Sequence, residues 1–252
     1  MPPATIPIGT PHPKTPQPTE AAPVRETPPM QADGPPRGVA ASAAASVAAA
    51  MRSLLARRRD ELNGGARAVG WKVGVNVAAL QEHFGLDGPV VGYLTDATVM
   101  EPGQPIPLRG WDRPALEVEV AVTIGADGGV SSLAPAIELV DLDLGFDDIG
   151  HILEGNIFHR GVIFGAETTG LDVRGLAVSV KRGGERVAEG TLTELPEVTV
   201  EVVREILGAH GAELMPGDRI IAGSLIAPLA IGAGDDLVVS YGPLGVVAVR
   251  FI

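Results

Sequence analysis

From residue 66 to the carboxyl terminus, apolar residues recur in short runs with a period of two, separated by Gly, Pro and Asp. Because successive side chains of a β-strand point to opposite faces, this pattern predicts strands rather than helices. The predicted strands are Val69 to Val75, Val90 to Leu94, Leu116 to Ile124, Ile137 to Leu142, Val162 to Phe164, Leu176 to Lys181, Arg219 to Ala222, Asp236 to Tyr241 and Gly245 to Ile252. The body of the chain is therefore predicted to be dominated by β-structure.

Three segments have a helical rather than an alternating pattern. An alanine-rich stretch predicts a helix from about Ser42 to Leu62, because alanine is the best helix former and Asn63 with two glycines follows as a stop. Val77 to Phe84 predicts a short helix, and Thr199 to His210 places its apolar side chains on one face. Strands and helices do not alternate regularly, so a Rossmann sheet is not expected.

The first 37 residues differ in composition from the rest of the chain. They hold 12 of the 22 prolines and few large apolar side chains, so they cannot bury enough surface to offset the entropy of ordering. We predict a disordered Pro-rich tail over residues 1–37 and a single domain over residues 38–252. Basic and acidic residues of the tail cancel, so the formal charge of −12 lies on the domain.

Composition excludes several classes of site and partner. The chain has no cysteine, which rules out disulfides, thiolate metal ligands and a thiol nucleophile, and fits a cytoplasmic location. Its negative charge would repel phosphate backbones, so no nucleic-acid partner is expected. The apolar segment Val39 to Met51 is too short to span a membrane, and no membrane partner is expected.

Three glutamates lie within apolar predicted strands. Glu117 and Glu119 share one face of a strand because side chains alternate, a pattern that fits either a solvated face or a site. Glu138 is flanked by Ile137 and Leu139, and a bare carboxylate there is costly unless it is paired or metal-bound. Three carboxylates without cysteine suit a hard divalent cation, Mg²⁺ or Mn²⁺, which keeps water or substrate oxygens in its other positions.

Several motifs, in this order and spacing, resemble one enzyme family. They are Gly70-Trp-Lys-Val-Gly74, Gly92-Tyr-Leu94, Glu117-Val-Glu119, Pro135-Ala-Ile-Glu-Leu-Val-Asp141, Asn156 nine residues before Gly165, and Gly217-Asp-Arg-Ile-Ile-Ala-Gly-Ser-Leu225. Together they resemble the 2-keto-4-pentenoate hydratase branch of the fumarylacetoacetate hydrolase superfamily. The resemblance covers roughly residues 66–252.

The resemblance implies an α+β fold, a mixed β-sandwich roll with a few helices and a divalent metal at its mouth. By position, Glu117, Glu119 and Glu138 match the family's metal ligands, and Lys72 matches its active-site lysine. Taken alone, Lys72 fits a strand-edge residue with its head in solvent. The implied activity is that of a lyase on a small 2-oxo or 2-hydroxy-dienoate acid: the cation stabilises an enolate, Lys72 moves or steers a proton, and water adds to give a 4-hydroxy-2-oxo acid.

Four further residues match family positions. Ser224 and Leu225 are implied to contact the substrate or to support the metal ligands, and Asp141 and Asn156 are implied to be polar groups near the pocket. Taken alone, Ser224 fits a turn, and the side chains of Asp141 and Asn156 each fit local bonding to the backbone.

The sequence also departs from the family. Its hydratases carry an acidic residue where this chain has Val90, and a threonine where it has Ile226. Other reactions therefore stay open: decarboxylation or tautomerisation of a vinylogous 2-oxo acid, then carbon–carbon hydrolysis of an acylpyruvate, then a non-catalytic metal-binding scaffold or partner subunit. His151-Ile-Leu-Glu154 has the form of the hydrolases' His-x-x-Glu pair, but it follows the third carboxylate, which argues against a hydrolase.

Two histidines and the assembly complete the sequence-based expectations. His151 and His159 are interpreted as ordinary loop or interface residues, with a lid over the site as the alternative. The resemblance implies a homo-oligomer, and a β-rich body with exposed edges agrees with it.

Overall fold

The computed structural model describes residues 37–252 of the chain, and these belong to one compact unit. The predicted disordered tail lies outside the described residues, except for Arg37. Within residues 37–252, no helix is long and apolar enough to cross a membrane.

The described chain contains four α-helices and eleven strands. The helices are α1 (Arg37–Asn63), α2 (Ala78–Phe84), α3 (Ile149–Glu154) and α4 (Pro196–Ala209). The strands are β1 (Ala68–Gly74), β2 (Val90–Thr95), β3 (Pro114–Ile124), β4 (Val130–Asp141), β5 (His159–Phe164), β6 (Ala177–Arg182), β7 (Glu185–Thr191), β8 (Arg219–Ile221), β9 (Leu229–Ala230), β10 (Asp236–Ser240) and β11 (Val246–Arg250).

The strands form two sheets. The larger has the order β2-β1-β8-β3-β4-β5, with β9 also paired to β3, and the smaller has the order β11-β10-β6-β7. β1 and β8 run parallel, whereas the other strand pairs of both sheets are antiparallel. The expected α+β class, with mixed sheets and a few helices, is confirmed.

Helix α1 covers one face of the larger sheet. Its Met51 and Leu54 are buried, and the guanidinium of Arg58 lies 4.5 Å from the ring centroid of Trp71 on β1. Because neighbouring side chains of a strand point to opposite faces, the next residue, Lys72, points away from α1. The helix therefore fixes which face of β1 presents its lysine to the interior.

A buried tyrosine ties the two sheets together. Tyr241 follows β10, is fully buried, and donates its hydroxyl proton to the backbone carbonyl of Ala136 on β4. Phe251, just after β11, is likewise fully buried in the main core. This contact holds the smaller sheet against the strand that carries Glu138.

Each strand predicted from the sequence overlaps an observed one, but some elements differ. β4 begins seven residues earlier than predicted and runs through Pro135. The prediction missed this part because proline usually argues against a central strand. β7 was not predicted, since Glu185–Thr191 is an exposed, charged edge strand without an alternating apolar pattern. The first helix also starts earlier, at Arg37.

Candidate metal centre

The paired strands β3 and β4 bring three carboxylates together. Glu117 and Glu119 share one face of β3, and Glu138 on β4 lies directly opposite Glu117 in the register. One oxygen from each residue can be chosen so that all three oxygens lie within 4.8 Å of one another. Glu119 and Glu138 are fully buried and Glu117 is half-buried, so the solvated-face interpretation of Glu117 and Glu119 is wrong.

Two of these carboxylate oxygens have no hydrogen-bond partner among the described residues: Oε1 of Glu119 and Oε2 of Glu138. A buried polar atom without a partner costs about 1–3 kcal/mol, and more when it carries charge. The other oxygen of Glu119 accepts a hydrogen bond from the backbone amide of Gly223 at 2.7 Å. Two bare oxygens beside a third carboxylate form a donor set that suits a hard divalent cation.

The pKa values of the cluster show an excess of negative charge. Burial raises the pKa of Glu117 to about 7, and the charge of Glu138 adds to the effect. Burial also raises the pKa of Glu119 well above its usual value, again with a contribution from Glu138. Burial alone would raise the pKa of Glu138, but the Lys72 ammonium and the hydrogen bond to His159 outweigh it and lower that pKa. A bound divalent cation would supply the positive charge that this cluster lacks.

Lys72 lies in the middle of β1 and is almost completely buried. Its Nζ forms an ion pair with Oε1 of Glu138 and donates to the backbone carbonyl of Ile157 at 2.9 Å. The interpretation of Lys72 as a strand-edge residue with a solvated head is therefore wrong. Gly92 lies opposite Lys72 on β2, and a Cβ at this position would approach Cγ of Lys72 to 2.9 Å.

The carbonyl that binds Lys72 comes from an unusual stretch of backbone. Asn156, Ile157 and Phe158 all have left-handed φ angles, 57°, 54° and 62°. Such values are costly for a β-branched residue and persist only where the surrounding structure imposes them. Here the amide of Asn156 bonds both the backbone N–H and the backbone carbonyl of Tyr93, each at 2.9 Å. This clamp fixes the turn that presents the Ile157 carbonyl to Lys72.

His159 contacts the glutamate cluster, which the sequence interpretation missed. It begins β5, its side chain is 1% exposed, and its Nδ1 lies 2.7 Å from Oε1 of Glu138. Burial lowers the pKa of His159, and the bond to Glu138 only partly opposes this effect. The interpretation of His159 as a loop or interface residue is therefore wrong. His151, by contrast, is an exposed residue of α3.

Ser224 and Leu225 lie in the segment between β8 and β9, which packs against β3. The Ser224 hydroxyl accepts from the Val118 amide at 3.2 Å and donates to the Ile226 carbonyl at 2.8 Å. The backbone amide of Leu225 donates to the Val118 carbonyl at 2.8 Å. Both residues line the cavity described below.

Asp141 and Asn156 lie close to the centre but do not line this cavity. The Asp141 carboxylate accepts from the backbone amide of Arg113 at 2.7 Å and from that of Asp112 at 3.2 Å. It therefore fixes the chain where β3 begins. Asn156 acts on the backbone of Tyr93 and shapes the turn beside Lys72.

A cavity of about 690 Å³ opens beside Lys72 and Glu117. Its remaining wall is largely apolar. The residues that line it are Lys72, Val73, Gly74, Val75, Asn76, Val77, Leu80, Glu117, Val140, Leu142, Phe146, Ile157, Phe158, Glu189, Ser224, Leu225, Ile226, Ala227 and Pro228. Lys72 is the one cationic residue in this set, and Glu189 is exposed on the edge strand β7. Both Val90, which is buried, and the exposed Asp87 are outside the lining.

Comparison with known proteins gives relatives over most of the chain. No protein-family model matches it. It is 27% identical over 216 residues to a 4-oxalocrotonate decarboxylase of Pseudomonas putida, covering 78% of this chain and 81% of the relative. It is 26% identical over 223 residues to a 2-keto-4-pentenoate hydratase of Paraburkholderia xenovorans strain LB400, covering 80% and 82%.

A solved structure shows the same fold. The 4-oxalocrotonate decarboxylase of Pseudomonas putida G7, complexed with magnesium and adipate, superposes with a TM-score of 0.73 at 24% identity, over 79% of this chain and 83% of that one. The chain is thus similar both to a hydratase of the kind that its motifs resemble and to a 4-oxalocrotonate decarboxylase.

Proposed function

We propose that this chain is a divalent-metal-dependent lyase that acts on a small 2-oxo or 2-hydroxy-dienoate acid through an enolate and adds water to give a 4-hydroxy-2-oxo acid. The observation that carries the proposal is a pair of bare, buried carboxylate oxygens clustered with Glu117, which together with Lys72 lines a largely apolar cavity. Relatedness to hydratases of this type supports it.

The carboxylates and Lys72 have separate roles in this proposal. Glu117, Glu119 and Glu138 would hold Mg²⁺ or Mn²⁺, which supplies the positive charge that stabilises the enolate of a 2-oxo acid. An ammonium group has three N–H donors. Two of the donors of Lys72 are used by Glu138 and by the carbonyl of Ile157. One donor remains for the cavity, where it can bind a substrate oxygen. Alternatively, Lys72 gives this proton to the far carbon of the diene and is reprotonated by the proton that the C2 hydroxyl of the dienol loses.

Ser224 and Leu225 shape the wall in this proposal. A hydroxyl has a single proton to donate, and that of Ser224 is engaged by the Ile226 carbonyl. Ser224 therefore supports the segment that carries Leu225 and Ile226, and Leu225 contacts the substrate. Asp141 and Asn156 support the backbone around the site from outside the cavity.

The cavity wall favours a substrate with one carboxylate and an apolar tail. Its volume lies within the usual range for small-molecule sites, about 300–1,000 Å³. Apart from its charged residues, the wall is built largely from apolar residues such as Val77, Leu80, Phe146 and Ile226. A second carboxylate at the far end of the substrate would meet these apolar groups and Glu189, whose carboxylate is already paired with Arg186 at 3.1 Å, and its desolvation would be costly.

Decarboxylation is the second candidate reaction. The related 4-oxalocrotonate decarboxylases support it as strongly as the hydratases support hydration. Both reactions use the same enolate stabilisation, so the metal centre does not separate them. The largely apolar wall favours hydration, because a substrate of the oxalocrotonate type brings a second carboxylate against it.

Product masses separate these reactions. The purified chain is incubated with Mg²⁺ or Mn²⁺ and, in turn, a 2-hydroxy-2,4-dienoate, an oxalocrotonate-type acid and an acylpyruvate. A product heavier by one water supports hydration, loss of carbon dioxide supports decarboxylation, and two fragments support hydrolysis. Glu117→Ala should abolish the reaction, whereas Glu205→Ala, at an exposed position of α4 outside the cavity lining, should not.

If the metal binds and none of the three acids changes, the enzymatic proposal is wrong and a metal-binding scaffold becomes the better one. A homo-oligomer and a cytoplasmic location stay predictions. Size-exclusion chromatography with light scattering tests the first.

A further inference from the structure

The β4–β5 pairing contains an irregularity at the metal centre. Leu139 pairs with Gly161, but the next residue, Val140, pairs with His159, so Arg160 is left out of the register. Residues directly opposite each other in a sheet share a face, and Val140 shares its face with Glu138 two positions away. The extra residue therefore brings the imidazole of His159 to the face that carries Glu138.

The two ring nitrogens of His159 have different partners. Nδ1 lies 2.7 Å from Oε1 of Glu138, and Nε2 lies 3.0 Å from the hydroxyl of Thr98. An ionised carboxylate only accepts hydrogen bonds, so Nδ1 must carry a proton and donate it. Thr98, in the short turn after β2, holds the other end of the ring.

This arrangement treats the two oxygens of Glu138 unequally. Oε1 receives both the Lys72 ammonium and the His159 N–H, whereas Oε2 is buried without a partner. The terminal torsion of a glutamate is broad and does not by itself fix the carboxylate plane. The Lys72 ammonium is a compact charge on a flexible side chain and does little to fix the orientation of the Glu138 carboxylate. The imidazole of His159, by contrast, is rigid and is held at both nitrogens.

We propose that His159 is a positioning residue, which orients the Glu138 carboxylate so that Oε2 is kept free for the metal ion. The inference rests on the proposed metal site. It assigns His159 no contact with the substrate or the metal. Hydrogen-bonding partners of this kind typically change metal affinity 10–100-fold when they are removed.

The test compares substitutions that differ in where they place a donor. His159→Asn puts an amide N–H near the position of Nδ1, His159→Gln puts one near Nε2, and His159→Leu has neither. Affinity for Mn²⁺ alone is measured by calorimetry or by electron paramagnetic resonance, without substrate, and thermal unfolding reports the integrity of the fold. His151→Leu, at an exposed histidine of α3, is the matched control.

We expect His159→Leu to bind Mn²⁺ about 10–100-fold more weakly, His159→Asn to stay close to the wild type, and His151→Leu to be unchanged. If His159→Leu does not fold, tighter binding by His159→Asn than by His159→Gln carries the same conclusion. Equal affinities for the wild type and His159→Leu, or for His159→Asn and His159→Gln, would overturn the inference. A wild-type chain that binds no Mn²⁺ would instead overturn the proposed function, and this inference with it.

Discussion

The ammonium of Lys72 donates a hydrogen bond to the backbone carbonyl of Ile157, 2.9 Å away. The φ angle of Ile157, 54°, lies in the left-handed region. The same ammonium pairs with Glu138, so Lys72 joins a strained turn to the candidate metal centre. The ammonium of Lys72 is thus held in place before any substrate enters, so the proposed reaction would not have to order it later.

Replacing Lys72 by methionine tests its proposed role. Lys72→Met keeps the length of the side chain but removes the proton donor, so kcat should fall by about 10²–10⁴-fold. The metal-free variant should also be less stable by about 3 kcal/mol, because Glu138 loses its buried partner. Steady-state kinetics and denaturant unfolding measure the two effects. Lys181→Met, at an exposed lysine of β6, should change neither, and full activity in Lys72→Met would exclude Lys72 from the reaction.

Glu119→Gln should separate stability from metal binding. Glutamine can still accept the Gly223 amide proton, but it removes a buried carboxyl group whose ionisation is costly and whose other oxygen has no partner. We expect the metal-free variant to unfold at a higher temperature than the wild type and to bind Mg²⁺ on the order of 100-fold more weakly, at least the loss seen for outer hydrogen-bonding partners. Thermal scans with and without Mg²⁺ give both numbers. A lower melting temperature without metal would contradict the picture of an uncompensated cluster.

Glu117 should make the stability of the metal-free protein fall as the pH rises. Burial raises its pKa to about 7 from an ordinary 4.5, so between these values the folded chain holds more protons than the unfolded chain. The cost of burying this charge is absent below about pH 4.5 and complete above about pH 7. The free energy of unfolding of the wild type, relative to Glu117→Gln, should therefore decrease across this window.

Denaturant unfolding in the presence of a chelator, from about pH 5 to about pH 8, measures this difference. The comparison with Glu117→Gln removes the contributions of other groups, including His159, whose lowered pKa acts in the opposite direction. Affinity for Mg²⁺ should rise over the same window, because protons and metal compete for the carboxylate. A difference that does not vary with pH would show that Glu117 is not perturbed.

Glu189→Arg should shift substrate preference towards dicarboxylates. Glu189 lines the cavity and pairs with Arg186 at 3.1 Å, so a cation in its place would leave two positive charges there to attract a second carboxylate. The ratio of kcat/KM for an oxalocrotonate-type acid to that for a 2-hydroxy-2,4-dienoate should rise several-fold, because an exposed ion pair contributes about 1 kcal/mol at most. Glu185→Arg, on the same strand outside the cavity lining, is the control. Equal ratios in both variants would remove Glu189 from the substrate-binding surface.

Much of the fold and the core of the candidate site follow from local patterns. The alternation of Glu117 and Glu119 with valines places both carboxylates on one face of a strand, and the apolar neighbours of Glu138 show that its charge needs a partner. These inferences need no knowledge of which strands pair. The family resemblance adds Lys72, whose buried position the alternation alone does not reveal.

What the sequence could not give depends on register and on backbone conformation. His159 reaches Glu138 only because one residue of β5 is left out of the pairing with β4. No residue pattern between His159 and Phe164 predicts this irregularity. Similarly, three consecutive left-handed residues without glycine are not expected from propensity, because tertiary contacts impose them.

The wall of the cavity has a consequence for how this protein can evolve. The carboxylates and Lys72 belong to strands in the middle of the larger sheet, whereas Val77, Phe146 and Ile226 come from segments outside its strands. Loop segments tolerate replacement better than central strands do. Mutation of the wall can therefore change which acids are accepted while the carboxylates and Lys72 keep their places. One scaffold can in this way acquire new substrates without a change in the proposed reaction.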